Sequence, residues 1–159
     1  MLYDIKLDNY FKINFVGFKK IIDALGGITV NSDYAFTSDA GYSFVKGDNV
    51  LNGEKALSFA RERHAFANGD NQRGIDQMKV ITAVFLMLAS PAVLNNYTGL
   101  LKGLEGSFET DLSYDAITNL VKGQLNDGAK WNIASYAVTG TGSKSSTFSM
   151  SQKVYVMIP

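Results

Sequence analysis

The 159-residue chain has no cysteine, which removes disulfides, thiolate chemistry and the usual structural zinc sites together. That is compatible with a cytoplasm or with a bacterial cell surface that does not rely on disulfides. Net charge is also lacking: 15 basic residues cancel 15 acidic ones. No global field therefore steers the chain to nucleic acid, and no helix-turn-helix pattern is visible. Long apolar runs are missing too. The longest, Val80–Ala89, is interrupted by Thr82 and stops near Pro91, whereas a membrane span needs about 20 apolar residues. It reads as a buried core helix. Residues 1–20 are rich in Asp, Lys and Asn and hold no secretory apolar segment. As given the chain reads as soluble, and Met1-Leu2-Tyr3 reads like a start placed inside a longer protein, with room for an anchor upstream.

What is present is a globular composition, 46% hydrophobic and 12% aromatic, in a length that suits one domain. Residues 1–159 read as a single unit without repeat or clean linker. Tyr10–Asn14 alternates like a short half-buried strand. From Phe15 the period changes: Phe15, Phe18, Ile21, Ile22 and Leu25 share one helical face. Gly26-Gly27 ends that helix, and Ile28–Val30 reads as a strand. Residues 31–52 are polar and turn-rich, with a strand near Phe44–Lys46. Asn52 can cap a helix through about Phe59. A longer helix runs from Asp70 or Asn71 to about Ala89, with Ile75, Met78, Ile81, Phe85 and Leu88 as its core stripe. After a short helix (Ala92–Tyr97) and a glycine-spaced loop, Ser113 caps a helix whose inner face is Ile117, Leu120, Val121 and Leu125 and which ends near Gly128. Trp131–Val138 alternates as a strand, 139–152 form a Ser/Thr/Gly loop, and Val154–Ile158 makes a last strand. Strand, helix, glycine turn and strand favour an α/β fold. The run TGTGSKSS (139–146) lacks the spacing of a phosphate loop and reads as a hairpin loop.

The chemistry concentrates in one window. The three arginines, Arg61, Arg63 and Arg73, lie within 13 residues, while 12 lysines are scattered from Lys6 to Lys153. Arginine offers a planar, always charged fork that matches phosphate oxygens two at a time. Segregating every arginine there points to an oxyanion site. If the preceding helix stops near Ala60, Arg61 and Arg63 project to one side with Glu62 opposite. Arg73 and Gln77 are one helical turn apart, Asp70 is three residues before Arg73, and the helix N-terminus adds free amides and a favourable dipole. The alternative is that Arg63 and Asp70, or Arg73 and Asp76, are plain surface ion pairs. His64, the one histidine, reads alone as a hydrogen-bonded structural residue rather than a base.

The run LNGEKALSFARERHAFANGDNQRGIDQMKVI (Leu51–Ile81) resembles the LytR-CpsA-Psr family, with its pattern G-x-x-A-L-x-Y-x-R-x-R followed by D-x-x-R-x-x-x-Q. NYFKINFVGFKKIIDALGGITV (Asn9–Val30) resembles that family's strand-helix-GG-strand segment, and Trp131–Pro159 its last strands. The resemblance implies a mixed β-sheet sandwiched by helices. It also implies a cell-envelope phosphotransferase of Gram-positive type. Such an enzyme moves a phosphate-linked glycopolymer, teichoic acid or capsular polysaccharide, from a polyprenyl-pyrophosphate carrier to peptidoglycan with magnesium. On that basis Arg61, Arg63 and Arg73 are the expected catalytic and substrate-binding residues, Gln77 also binds substrate, and Asp70 sits by the metal. An apolar pocket lined from helix 71–89 and region 92–125 would hold the prenyl tail. The location implied is the extracytoplasmic membrane face, through an upstream anchor.

Two departures follow. The family often has a basic residue before the glutamine; here Asp76 adds a negative charge near the pocket. The family's upstream S-D and P-R-D motifs, which supply metal-binding aspartates, do not occur. The chain is thus expected to be a C-terminal, incomplete domain lacking N-terminal strands. It should bind weakly or not at all alone, not catalyse, and either pair its exposed sheet edge in a homodimer or rearrange that edge. The other readings are a non-catalytic module for pyrophosphate lipid or anionic polymer, and a transcriptional regulator or attenuator of envelope genes.

Overall fold

A computed structural model of the chain describes residues 8–128, 133, 141–144 and 155–158. The elements begin with β1 (Phe11–Ile13), α1 (Phe15–Ala24), β2 (Ile28–Ser32), β3 (Phe36–Thr37), β4 (Ser43–Phe44) and β5 (Gly47–Leu51). The helices α2 (Gly53–Arg61), α3 (Gly69–Leu88), α4 (Pro91–Leu94) and α5 (Tyr97–Gly103) follow. Then come β6 (Phe108–Thr110), α6 (Tyr114–Asp127), β7 (Thr141–Lys144) and β8 (Tyr155–Ile158). The α/β class holds. The described strands form four two-stranded antiparallel ladders: β1 with β6, β2 with β5, β3 with β4, and β7 with β8.

Local chemistry sets the helix ends. Asn14, Asn52 and Ser113 each accept a first-turn amide on the side-chain oxygen, from Gly17, Lys55 and Ala116 respectively, as capping residues do. Gly26 and Gly27, at φ +80° and +96°, take the left-handed backbone that turns α1 into β2. Gly53 serves a close approach: a Cβ there would lie 2.4 Å from the Lys19 carbonyl oxygen, so α2 can pack directly on α1.

Two apolar clusters hold these elements. In the larger one Ile22, Ile28, Leu51, Ala56, Phe59 and Val80 are at most 1% exposed. Phe36 joins it through rings on Phe44 (4.8 Å) and Phe59 (5.5 Å). The smaller one gathers Ile21, Leu25 and Leu104. Neighbouring positions on α1 thus face different clusters.

Some elements differ from expectation. β5 falls in the stretch read as turns, and β6 in the glycine-spaced loop; each acquires its pattern from its partner strand. Phe11 stacks on Phe108 at 4.8 Å. β7 lies within the 139–152 stretch expected to be loop, pairing Thr141 with Ile158. The expected strand Trp131–Val138 lies, apart from Ile133, outside the described residues.

The long helix departs most. Ile75, Met78, Ile81 and Phe85, expected as core, are 46%, 36%, 42% and 45% exposed. Leu88 does pack, against the smaller cluster. The inward side is Asp76, Val80, Ala83, Val84 and Met87. α3 is apolar on two opposite sides, so periodicity alone does not say which side is the core. Likewise α6 has no buried residue; Leu120 and Leu125 are 62% and 42% exposed rather than inward. No described helix is long and apolar enough to cross a membrane.

Asp76 is the polar exception on the inward side of α3, 1% exposed. Gln72 Nε2 donates to its Oδ1 at 3.0 Å, and Oδ2 has no hydrogen-bond partner. The fold therefore corrects the expectation that Asp76 charges the pocket: its carboxyl is turned into the core. Burial pushes that carboxyl above its ordinary value of 3.8; the Gln72 bond and Lys79 oppose the rise and Asp33 adds to it. The folded state thus prefers the protonated form. Its contribution is full below the unfolded value and is lost as pH rises through the raised one. Asp76→Asn should stabilise the protein at pH 7 by about 1–2 kcal/mol, with the gain vanishing near pH 3. Thermal unfolding at both pH values checks this, and a lower melting temperature for the variant at pH 7 would contradict it.

Candidate functional site

The site is built where α2 ends and α3 begins. α2 stops at Arg61, and Glu62 turns extended, at φ −61° and ψ 137°. The turn is organised by the Glu62 side chain, only 3% exposed. Its Oε1 accepts the amides of Arg63 and Ala65 at 2.8 and 2.9 Å, and its Oε2 the amide of Asp39 at 2.8 Å. Burial alone would raise this carboxyl. The amides of Ala65, Asp39, Arg63 and His64 together outweigh it and hold it below the ordinary range, as amides donated to a carboxylate do. Phe66 pins the same segment from its apolar side, with its ring 4.8 Å from Phe36 and 5.9 Å from Tyr34.

Glycine closes the structure at the start of α3. A Cβ on Gly69 would lie 2.1 Å from the Arg63 carbonyl oxygen, so only glycine lets α3 start against the Arg63 backbone. Asp70 then forms ion pairs with two guanidiniums through one oxygen. Arg63 Nε is 3.3 Å and Arg73 Nη2 is 2.9 Å from Asp70 Oδ1. Arg63, His64, Phe66, Asn68, Asp70 and Asn71 line an open cavity of about 430 Å³. Asn68 makes no side-chain capping bond to α3, and the first-turn amides of a helix have no intrahelical partner.

Of the expected residues, the ion pairs join Arg63, Asp70 and Arg73. Arg61 stands apart from them: its guanidinium lies 4.7 Å above the Phe15 ring of α1. Gln77 is exposed one turn beyond Arg73 on α3. The surface-pair alternative is half met, because Arg63 does pair Asp70 but the partner of Arg73 is Asp70, not Asp76. Glu62 and Gly69 are contributors that the sequence reading passed over. The pattern offered only an acid between two arginines and an Asn-Gly-Asp turn.

Among the described residues one group could offer three metal ligands within 4.8 Å of one another: Asp39, Glu62 and His64. Both Glu62 oxygens are occupied by backbone amides, and His64 Nδ1 is 2.5 Å from Asp39 Oδ2. That is a hydrogen-bonded brace. Asp70, the expected metal residue, brings no second carboxylate with it and shares its oxygen between two cations. A divalent ion of the magnesium type needs more hard oxygen than this, so the described residues do not fit a magnesium centre.

The Glu62 brace predicts a pH-dependent loss. Its stabilisation is present above the unfolded carboxyl value and disappears as pH falls through the lowered folded one. Glu62→Gln should cost about 1–3 kcal/mol at pH 7 and progressively less as pH falls through the lowered native value. Denaturant unfolding followed from pH 7 down through the acid range measures it, and a cost that never changes would show that charge is not what the amides require.

Comparison with known proteins places this geometry. The LytR_cpsA_psr family model matches residues 1–158. A Bacillus licheniformis protein named polyisoprenyl-teichoic acid–peptidoglycan teichoic acid transferase TagU is 35% identical over 141 residues, which is 89% of this chain and 45% of that protein. The chain spans about half the length of the curated relatives it matches. The X-ray structure of the Lin1025 protein from Listeria innocua superposes with a TM-score of 0.77 at 30% identity, covering 99% of this chain and 65% of that one. The crystal structure of Bacillus subtilis TagU gives a TM-score of 0.65 at 33% identity, covering 90% and 58%. With the arginine pair, the shared aspartate and the strand-helix-GG-strand segment all in place, the chain belongs to the LytR-CpsA-Psr family.

Proposed function

We propose that the chain holds the diphosphate of a polyprenyl-pyrophosphate-linked wall polymer on Arg63 and Arg73. It would thereby take part in transferring that polymer to peptidoglycan at the outer face of the cell membrane. The reading is supported by what the relatives are named for, the transfer of teichoic acid from a polyisoprenyl carrier to peptidoglycan. One observation in this chain carries it. The arginine pair stands at the N-terminus of α3, and the solvent side of that helix is apolar. Along that side, from Asn71 to Ala89, every residue is uncharged, and Ile75, Met78, Ile81, Phe85 and Leu86 are all at least 36% exposed. A 20-residue helix is about 30 Å long. An anionic head at one end and an apolar track along the side suit a ligand with a diphosphate and an isoprenoid tail.

The chemistry this chain supplies is placement and charge. Two guanidiniums fork onto the non-bridging oxygens and stabilise the charge that develops on the leaving phosphate. Asp70 holds them in place until the ligand's own oxygens replace it. Arg61 and Gln77 join as the ligand extends past the pair. The magnesium the family resemblance implies is not assigned a step, since the residues here do not make its site.

Binding and turnover separate this from a plain binding module. Geranylgeranyl pyrophosphate should bind the chain weakly, and Arg63→Ala or Arg73→Ala should each lower the affinity about tenfold or more. Calorimetry reads both. Unchanged affinity in the two variants would remove the arginines from the site. The 159-residue chain alone is expected to release no polymer; polymer transfer by it would refute the incomplete-domain reading.

A further inference from the structure

His64 is the one histidine of the chain, and its side chain is 73% exposed, so packing does not account for it. Its Nδ1 lies 2.5 Å from Asp39 Oδ2. A carboxylate at Nδ1 keeps the proton there and leaves the lone pair of the neutral ring on Nε2. Both members of this dyad are tied to the same buried group. Glu62 accepts the Asp39 amide on one oxygen and the amides flanking His64, those of Arg63 and Ala65, on the other. The ring lines the same cavity as Arg63 and Asp70. The charged groups around it are therefore Asp39 and Glu62 on the brace and Arg63 and Asp70 on the cavity wall.

We propose that His64, positioned by Asp39, is the general base that takes the proton of the hydroxyl attacking the diphosphate held by Arg63 and Arg73. The inference rests on the anion-site reading above and adds to it the group that activates the acceptor. In the step, the acceptor hydroxyl oxygen bonds to the phosphorus that carries the polymer, and its proton passes to His64 Nε2. The bond from that phosphorus to the bridging oxygen breaks, and its electron pair leaves on polyprenyl phosphate. The imidazolium then gives its proton to water, and the product is a phosphodiester between polymer and acceptor. Asp39 is a positioning residue: it holds the tautomer and does not touch the reacting atoms.

A single histidine makes the test clean. Nitrogen NMR of the 159-residue chain should show the neutral ring as the Nδ1–H tautomer, and Asp39→Asn should shift it toward Nε2–H. Inorganic pyrophosphate should move the ring-nitrogen signals in the native chain but not in the Arg63→Ala, Arg73→Ala double variant. In the shortest form of the protein that transfers polymer, His64→Asn should lower kcat about 10²–10⁴-fold. Pyrophosphate affinity should stay within about twofold and the acid-side fall in rate should vanish. An Nε2–H ring in the native chain, or full-rate transfer by His64→Asn, overturns the proposal. So does pyrophosphate that binds by calorimetry yet leaves the ring signals unmoved. No pyrophosphate binding at all instead sinks the anion site, and the base falls with it.

Discussion

Two guanidinium groups repel each other, and in this protein they are kept together by one carboxylate between them. Asp70 Oδ1 lies 3.3 Å from Arg63 Nε and 2.9 Å from Arg73 Nη2. The pairs are exposed, so as surface ion pairs they contribute little to stability. In the proposed site their role is positional: they gather two guanidiniums before a ligand arrives, and preorganised positive charge is what a phosphate needs as charge develops on it. That arrangement depends on backbone placement. The buried Glu62 ends α2 and turns Arg63 outward, and Gly69 lets α3 begin against the Arg63 carbonyl.

The rest of the fold serves that junction. β2, β5 and the aromatic group around Phe59 fix α2; α3 packs one side on this core; and Phe66 ties the connecting segment to Phe36. α3 keeps apolar side chains exposed on its other side, and a contiguous exposed apolar patch marks an interaction surface. Its proximity to the arginines makes an amphipathic ligand a coherent occupant of head and track together.

Legibility in the sequence followed the range of the interactions. Asn14, Asn52, Ser113, Gly26-Gly27 and Gly128 mark helix ends through contacts a few residues away, and those boundaries were readable to within one or two positions. β5 and β6 were not, because strands of five and three residues gain their identity from partners far along the chain. The length of α3 was readable and its inward side was not, since both sides carry aliphatics. Asp76 looked like a surface charge because nothing local signals that it is buried. At the site, clustering of the arginines was visible at once, but their division was not: Arg61 rests on Phe15 while Arg63 and Arg73 share Asp70. In the sequence Glu62 is only the acid between two arginines, and only the fold shows its carboxylate gathering amides from two loops. His64 read as structural for want of a visible partner, and that partner, Asp39, lies 25 residues away.

The most direct test of the account compares two ligands on one labelled sample, following the arginine Nε–H and the isoleucine and methionine methyl signals. Inorganic pyrophosphate should move Arg63 and Arg73 together and leave Ile75, Met78 and Ile81 unchanged, whereas geranylgeranyl pyrophosphate should move all five. Methyl shifts without arginine shifts, or arginines that respond independently of each other, would contradict a head-and-track site at the start of α3.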